Sequence, residues 1–307
     1  MKIKNFISLV FKGAGMGAAN IIPGVSGGTI ALITGIFEEL IDSIKSFDLK
    51  AIKLLFSGKL KEFASYINLW FLIAVFGGAV ISIFSLAILL DYLLQNYEVQ
   101  VYAFFFGLIL ASVYFVGKTI EKWKISVIIA FVIGTAIAVL ISVLRPAAEN
   151  DSTVYLLICG VVAICSMILP GLSGSFVLLL MGNYYLVMVK AVKEVDLAVI
   201  IPVGIGAVGG LVAFSHLLSW VYKKFRDQTI SILTGFILGS LAILWPWKNE
   251  IINEELSAVK GEKVVEGYER FMPQSLNQEV ISVIVLVLIG IVIIWAIEKW
   301  ASKQAAE

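Results

Sequence analysis

IIPGVSGGTIALITG (21–35) and ILPGLSGSFVLLLMG (168–182) are two copies of one pattern, 147 residues apart. Pro23 matches Pro170, Gly24 matches Gly171, Ser26 matches Ser173, Gly27 matches Gly174, and Gly35 matches Gly182. Apolar composition aligns Leu with Leu by chance, but it does not put Pro, Gly, Ser and Gly in register. The likeness continues downstream, where VFGGAV (75–80) resembles AVGGLV (207–212) and FGLILAS (106–112) resembles TGFILGS (234–240). VIIAFVIG (127–134) likewise resembles VIVLVLIG (283–290). The offset drifts between blocks, as loop insertions would cause. The chain therefore reads as two related halves, 1–147 and 148–307.

Between the copies run long uncharged stretches. The chain has 307 residues, 60% hydrophobic and 15% charged, with a mean hydropathy of +0.99. A soluble domain carries about 25% charged residues, so this composition belongs to a bilayer protein. A net charge of +1 argues against a nucleic-acid partner. Six runs are long enough to span: 69–90, 99–117, 125–144, 197–222, 228–247 and 280–297. The regions 5–44 and 152–192 each read as two short helices broken at the Pro-Gly turn. Each half is thus a broken hairpin followed by three spans. The predicted fold class is an all-α integral membrane protein of two inverted repeats, each a Pro/Gly-broken hairpin expected to re-enter, plus three transmembrane helices.

Three spans are an odd number, and a hairpin adds none if it re-enters or two if it crosses. Either way the second half is inverted relative to the first. With both termini inside, sixteen of the 23 Lys and Arg fall on inner segments, as cytoplasmic loops require. The loop 248–279 falls outside and is acidic. Residues 48–66 are basic and amphipathic and are expected along the inner surface. Trp70, Trp245, Trp247 and Trp300 sit near span ends as interfacial anchors. Met1-Lys2-Ile3-Lys4 resembles the start of a signal peptide, but Lys12 and a glycine-rich stretch interrupt the apolar region, which reads as mature structure. Cys159 and Cys165 lie in an apolar run without histidine or acidic companions and read as packing residues.

Proline and glycine at mid-depth leave backbone groups that only protein or a watery cavity can satisfy. A helix starting after each break offers free N–H groups and a partial positive charge, which suits an anion and phosphate above all. The candidate phosphate-binding residues are Ser26, Gly27, Gly28, Thr29, Ser173, Gly174 and Ser175. Pro23, Gly24, Pro170 and Gly171 make the breaks. The plainer reading is a pair of helix kinks, weakened by their recurrence in register.

His216 and Glu38 are candidates for proton coupling. A hydrogen-bonded packing role for His216, and an interfacial one for Glu38 and Glu39, stand beside that reading. Arg145 is placed to meet a lipid phosphate or to snorkel. No nucleophile–base pair, metal-ligand set or nucleotide loop is present, which argues against an enzyme, a metal and a cofactor.

GAANIIPGVSGGTIALITGIFEEL (17–40) and SMILPGLSGSFVLLLMGNY (166–184) resemble the two hallmark stretches of the PopT family of bacterial polyprenyl-phosphate transporters, and the resemblance runs through the whole chain. It implies a multi-pass protein of the cytoplasmic membrane that moves undecaprenyl phosphate from the outer to the inner leaflet. That step recycles the lipid carrier of peptidoglycan synthesis. The implied partners are this lipid substrate and the membrane lipids. A lipid phosphate needs shielding while it crosses hydrocarbon, which the turns are suited to give. A transporter of a small soluble anion is the alternative, and a lipid phosphatase a weaker one.

Overall fold

The computed structural model describes residues 3–21, 26–144, 146–252 and 265–306. Pro23, Gly24 and Arg145 lie outside them, as does the side chain of Trp300. The first half holds α1 (Ile3–Ile21), α2 (Gly27–Ile33), α3 (Phe37–Lys45), α4 (Leu49–Phe56), α5 (Leu60–Tyr66), α6 (Leu69–Gly117) and α7 (Ile125–Ile141). The second holds α8 (Thr153–Ile168), α9 (Gly174–Leu180), a π-helical turn (Tyr185–Lys190), α10 (Ala191–Glu194), α11 (Leu197–Lys224) and α12 (Arg226–Ser240). Strands β1 (Lys248–Ile252) and β2 (Val265–Arg270) follow, then α13 (Gln278–Ala306).

The protein is helical and built for a membrane. Four stretches among the described residues are long and apolar enough to cross one: Leu69–Leu86, Tyr92–Gly117, Leu197–Lys224 and Gln278–Ala296. Helices α7 and α8 are apolar but shorter. Large apolar side chains point outward, among them Ile125, Val132 and Leu140 on α7 and Leu288 and Val292 on α13. Hydroxyls lie inside. Ser112, Ser166, Thr229 and Thr234 are buried, and each donates to the carbonyl four residues back in its own helix. Such self-satisfied hydroxyls need no water, and they let helices pack closely where apolar burial drives nothing.

Contacts at equivalent positions recur between the halves. Helix α1 packs on α6, and α8 on α11. A Cβ at Gly13 would strike the Val75 carbonyl, and one at Gly160, its counterpart, would meet Val203 and Ala207. The remaining pairs cross between halves, α7 with α12 and α6 with α13. Gly107 abuts Val287 as Gly235 abuts Phe131, and Gly290 abuts Phe104 as Gly134 abuts Ile232. Gly107, Gly235, Phe131, Val287, Gly134 and Gly290 fall at matching places in the aligned blocks, and Phe104 and Ile232 each lie two residues before theirs.

Two faces are defined by polar contacts. On one, Asn68 Nδ2 donates to Glu39 at 2.8 Å, Lys223 pairs with Asp42 at 2.6 Å, and the Glu121 and Lys122 N–H groups reach Asp227. On the other, the Ala147 N–H donates to the Leu180 carbonyl at 2.7 Å, and Arg270 Nε donates to the Ala242 carbonyl at 2.6 Å. Helices α7 and α12 run from the first face to the second. The later part of α6 runs the other way, because both ends of α6 lie on the first face.

Several predicted boundaries move. The loop expected between 90 and 99 is helical, and α6 reverses at a single residue, Tyr97 (φ −141°, ψ 41°). The surface helix expected over 48–66 is two helices, parted at Gly58, whose φ of +72° is left-handed. Helix α12 stops at Ser240, seven residues short of the predicted span end. The loop 248–279 contains an antiparallel hairpin, with Lys248 opposite Arg270. Cys159 is buried with Leu156, Leu178 and Val199 in a small cluster of its own, as a packing residue should be.

Candidate functional site

Helix α8 ends before Pro170, as the residue preceding a proline avoids the helical region. Leu169 is extended (φ −72°, ψ 125°), Gly171 takes φ +80°, and the Leu172 N–H reaches the Leu169 carbonyl at 3.4 Å. Proline then a left-handed glycine is the signature of a type II turn. Ser173 (φ −108°, ψ 127°) then starts α9. In the first half Ser26 (φ −116°, ψ 135°) starts α2 in the same way.

The start of α2 touches the second turn. The Gly171 N–H donates to Thr29 Oγ1 at 2.9 Å. Ser26 Oγ lies 3.2 Å from the Leu169 carbonyl and 3.3 Å from that of Met167. Ser26 and Thr29 are each only 1% exposed. Each hairpin also folds back on itself. Lys12 Nζ donates to the Thr34 carbonyl at 2.8 Å, at the end of α2. In the second half Tyr155 Oη donates to the Met181 carbonyl at 2.9 Å. The tips of both hairpins therefore meet away from the faces where they begin.

The donors at the two tips are in different states. At the first, Asn20 Oδ1 takes the Gly27 N–H at 2.7 Å, Ser26 Oγ takes that of Gly28 at 3.1 Å, and the Ser26 carbonyl takes that of Thr29 at 2.9 Å. At the second, the N–H groups of Gly174, Ser175 and Phe176 have no partner among the described residues, and Ser173 and Ser175 hydrogen-bond each other at 2.8 Å on an exposed surface. The alignment accounts for one of these: Met167 stands where the first half has Asn20, so the Gly174 N–H has no amide oxygen to take it. The first tip is a closed joint; the second presents a bonded pair of hydroxyls, exposed at Ser175 and part-exposed at Ser173, with the Gly174 N–H buried beside them. Helix α9 has seven residues, so its value to an anion lies in direct hydrogen bonds more than in a macrodipole.

The undecaprenyl phosphate translocase-like family matches residues 16–263 of the chain, a stretch holding the end of α1 and all of α2 to α12. The chain belongs to this family. It is similar to the polyprenyl-phosphate transporter of Vibrio cholerae serotype O1, with 40% identity over 308 residues, covering 98% of this chain and 99% of the relative. A polyprenyl-phosphate transporter of Staphylococcus aureus is 31% identical over 256 residues, covering 77% of this chain and 85% of the relative. No solved structure matches the chain.

The remaining candidates of this family member lie apart from the tips. His216 is half-buried within α11, with Nδ1 2.9 Å from the Val212 carbonyl of its own helix. Glu38 is exposed in the first turn of α3. A charge cluster where α3 meets α11 is one that sequence reasoning missed. Asp42 accepts from Ser219 at 2.7 Å and Lys223 at 2.6 Å, and Lys45 donates to Ser219 at 3.3 Å. Partial burial raises the Asp42 carboxyl, but the hydrogen bonds of Lys223 and Ser219 and the charges of Lys223 and Lys45 outweigh it, leaving the carboxyl below its usual range. Asn20, Lys12 and Arg270 were also missed. Asn20 had a visible signal, an amide three residues before a Pro-Gly break.

Proposed function

We propose that the protein carries undecaprenyl phosphate across the cytoplasmic membrane, from the outer to the inner leaflet, returning the carrier lipid for envelope synthesis. Membership of the family and the relatives' names support a polyprenyl phosphate as the substrate and a transporter rather than an enzyme. The observation that carries the reading is the meeting of the two hairpins, with Ser173 and Ser175 bonded only to each other by their hydroxyls and the N–H groups of residues 174–176 free of partners among the described residues. The phosphate rests there, shielded by the tips, while the polyprenyl tail stays in lipid. Ser26, Gly27, Gly28 and Thr29 form the opposite wall and reach the phosphate when Asn20 releases Gly27.

The halves are inverted repeats with re-entrant hairpins, and the termini are cytoplasmic. Equivalent helices run in opposite senses, equivalent glycines make equivalent contacts, and each hairpin returns to its own face. All three observations support that arrangement. Cysteines placed at Glu62 and Glu269 should label from opposite sides of the membrane, Glu62 from inside. Labelling of both from one side would sink the inverted arrangement.

The transport test is flipping of undecaprenyl phosphate in vesicles. A hydrogen bond to a charged group contributes about 1.5–3 kcal/mol. Ser173→Ala or Ser175→Ala should therefore weaken lipid-phosphate binding roughly tenfold to a hundredfold. Inorganic phosphate at equal concentration should compete poorly. Wild-type binding in the Ser173→Ala/Ser175→Ala double variant would place the site elsewhere, and strong competition would favour a soluble anion as substrate.

A further inference from the structure

Helices α4 and α5 stand apart from the packed body. Ala51 is the buried residue of α4, and α5 has none. Leu49, Ile52 and Phe56 recur at helical spacing on one side of α4 and are 85%, 50% and 86% exposed. Lys53 and Lys50 flank that side one step round the helix. Beyond Lys50 the helix borders a cleft of about 470 Å³ lined by Lys50, Leu54, Lys61, Glu62, Ser65 and Tyr66.

The acids nearby are already engaged. Asp48 accepts the Lys50 and Ala51 N–H groups at 2.8 and 2.9 Å and the Tyr66 hydroxyl at 2.7 Å. Glu62 pairs with Lys59 at 3.1 Å. Lys50 lies over the Tyr66 ring, 4.4 Å from its centre. Lys50 also feels the Asp48 charge, while Lys53 and Lys61 make no ion pair among the described residues. The segment is tethered at both ends to the same membrane face, by α3 and by α6, whose Trp70 is 61% exposed. A row of large apolar side chains edged by lysines that outnumber the free acids, held at that level, matches an anionic lipid surface.

We propose that α4 and α5 form a binding site for anionic glycerophospholipid. Lys50 and Lys61 hold a headgroup phosphate in the cleft, with Ser65 beside them, while Leu49, Ile52 and Phe56 enter the acyl layer. This site is separate from the tips and does not depend on what they carry.

The test uses the full chain in nanodiscs of phosphatidylcholine with increasing phosphatidylglycerol. Ser57→Cys, in a background with Cys159 and Cys165 replaced by alanine, carries a fluorophore quenched by acyl-brominated lipid. Quenching should rise with phosphatidylglycerol. Lys50→Gln or Lys61→Gln should each raise the half-effect fraction about fivefold, the effect of one lysine at an anionic surface. Lys118→Gln, at the far end of α6 and outside the cleft, should change it little. Quenching independent of phosphatidylglycerol would reduce the site to apolar contact and overturn the proposal. A label left unquenched in every membrane would overturn it too and point to a protein partner. Reversal by millimolar inorganic phosphate would assign the cleft to the soluble ion.

Discussion

At Gly171 two demands coincide. Its φ of +80° is left-handed, and a Cβ would come within 2.5 Å of the Phe236 carbonyl. The conformational term alone costs about 1–2 kcal/mol, so Gly171→Ala should lower the melting temperature sharply. A Cβ at Gly204 on α11 would meet nothing within 4 Å, and Gly204→Ala should leave stability equal or raise it by up to about 1 kcal/mol. The two measured side by side in detergent separate turn geometry from general sensitivity to glycine loss. Thr29→Val should strand the buried Gly171 N–H at a cost of about 1–3 kcal/mol, and Thr29→Ser should restore it. Equal stability of both variants would remove Thr29 from the joint. Much of this was legible, since Pro-Gly marks a turn and Ser a cap. The pairing of Thr29 with Gly171 was not, because register says which residues are equivalent and not which ones touch.

Among the elements, the β1–β2 hairpin is the one that hydropathy hid. Its acidic residues mark an outer loop, while strand pairing depends on contacts distant in sequence. Arg270 anchors it by donating to the Ala242 carbonyl at 2.6 Å and, through Nη2, to the Ser142 carbonyl at 3.4 Å. These carbonyls close α12 and α7, where a cation meets the negative ends of two helices. Arg270→Met keeps the stem and removes the donors. Exchange of the amides over 241–247 and 265–270 should quicken, with stability falling by about 1–3 kcal/mol; unchanged exchange would mean the hairpin is held otherwise. The α3–α11 contact behaves differently. The Asp42 carboxyl is depressed from its ordinary 3.8, so its contribution is present above that value and lost as pH falls through the lower one. Across the neutral range the contact holds, and Asp42→Asn should leave the shape of the transport pH profile unaltered. The pair is partly exposed and contributes about 0–1 kcal/mol. A profile flattened by Asp42→Asn would show that this carboxyl titrates during transport.

For the molecule as a whole, the sequence shows which segments resemble each other, but not which ones pack together. Four aligned glycines mark close contacts, yet the alignment of Gly107 with Gly235 does not say that each packs on the other half. Because α6 packs on α13 and α7 on α12, neither half owns a complete set of neighbours. Fragments 1–147 and 148–307 expressed separately should be degraded or aggregate, and co-expression should recover a complex that purifies together. A stable, monodisperse 1–147 fragment would contradict the crossed pairing.

That crossing also sets an order of events during synthesis. Helix α7 leaves the ribosome about 100 residues before α12, which at about 5–20 residues per second is a wait of about 5–20 s. Through that interval Gly134 faces lipid or an insertion factor rather than Ile232. The part of α6 around Gly107 waits longer still, until Gln278–Ala306 arrives. A message truncated before codon 278 would thus leave an early helix without its mate, and quality-control proteases would meet a defect in the first half caused by a lesion in the second.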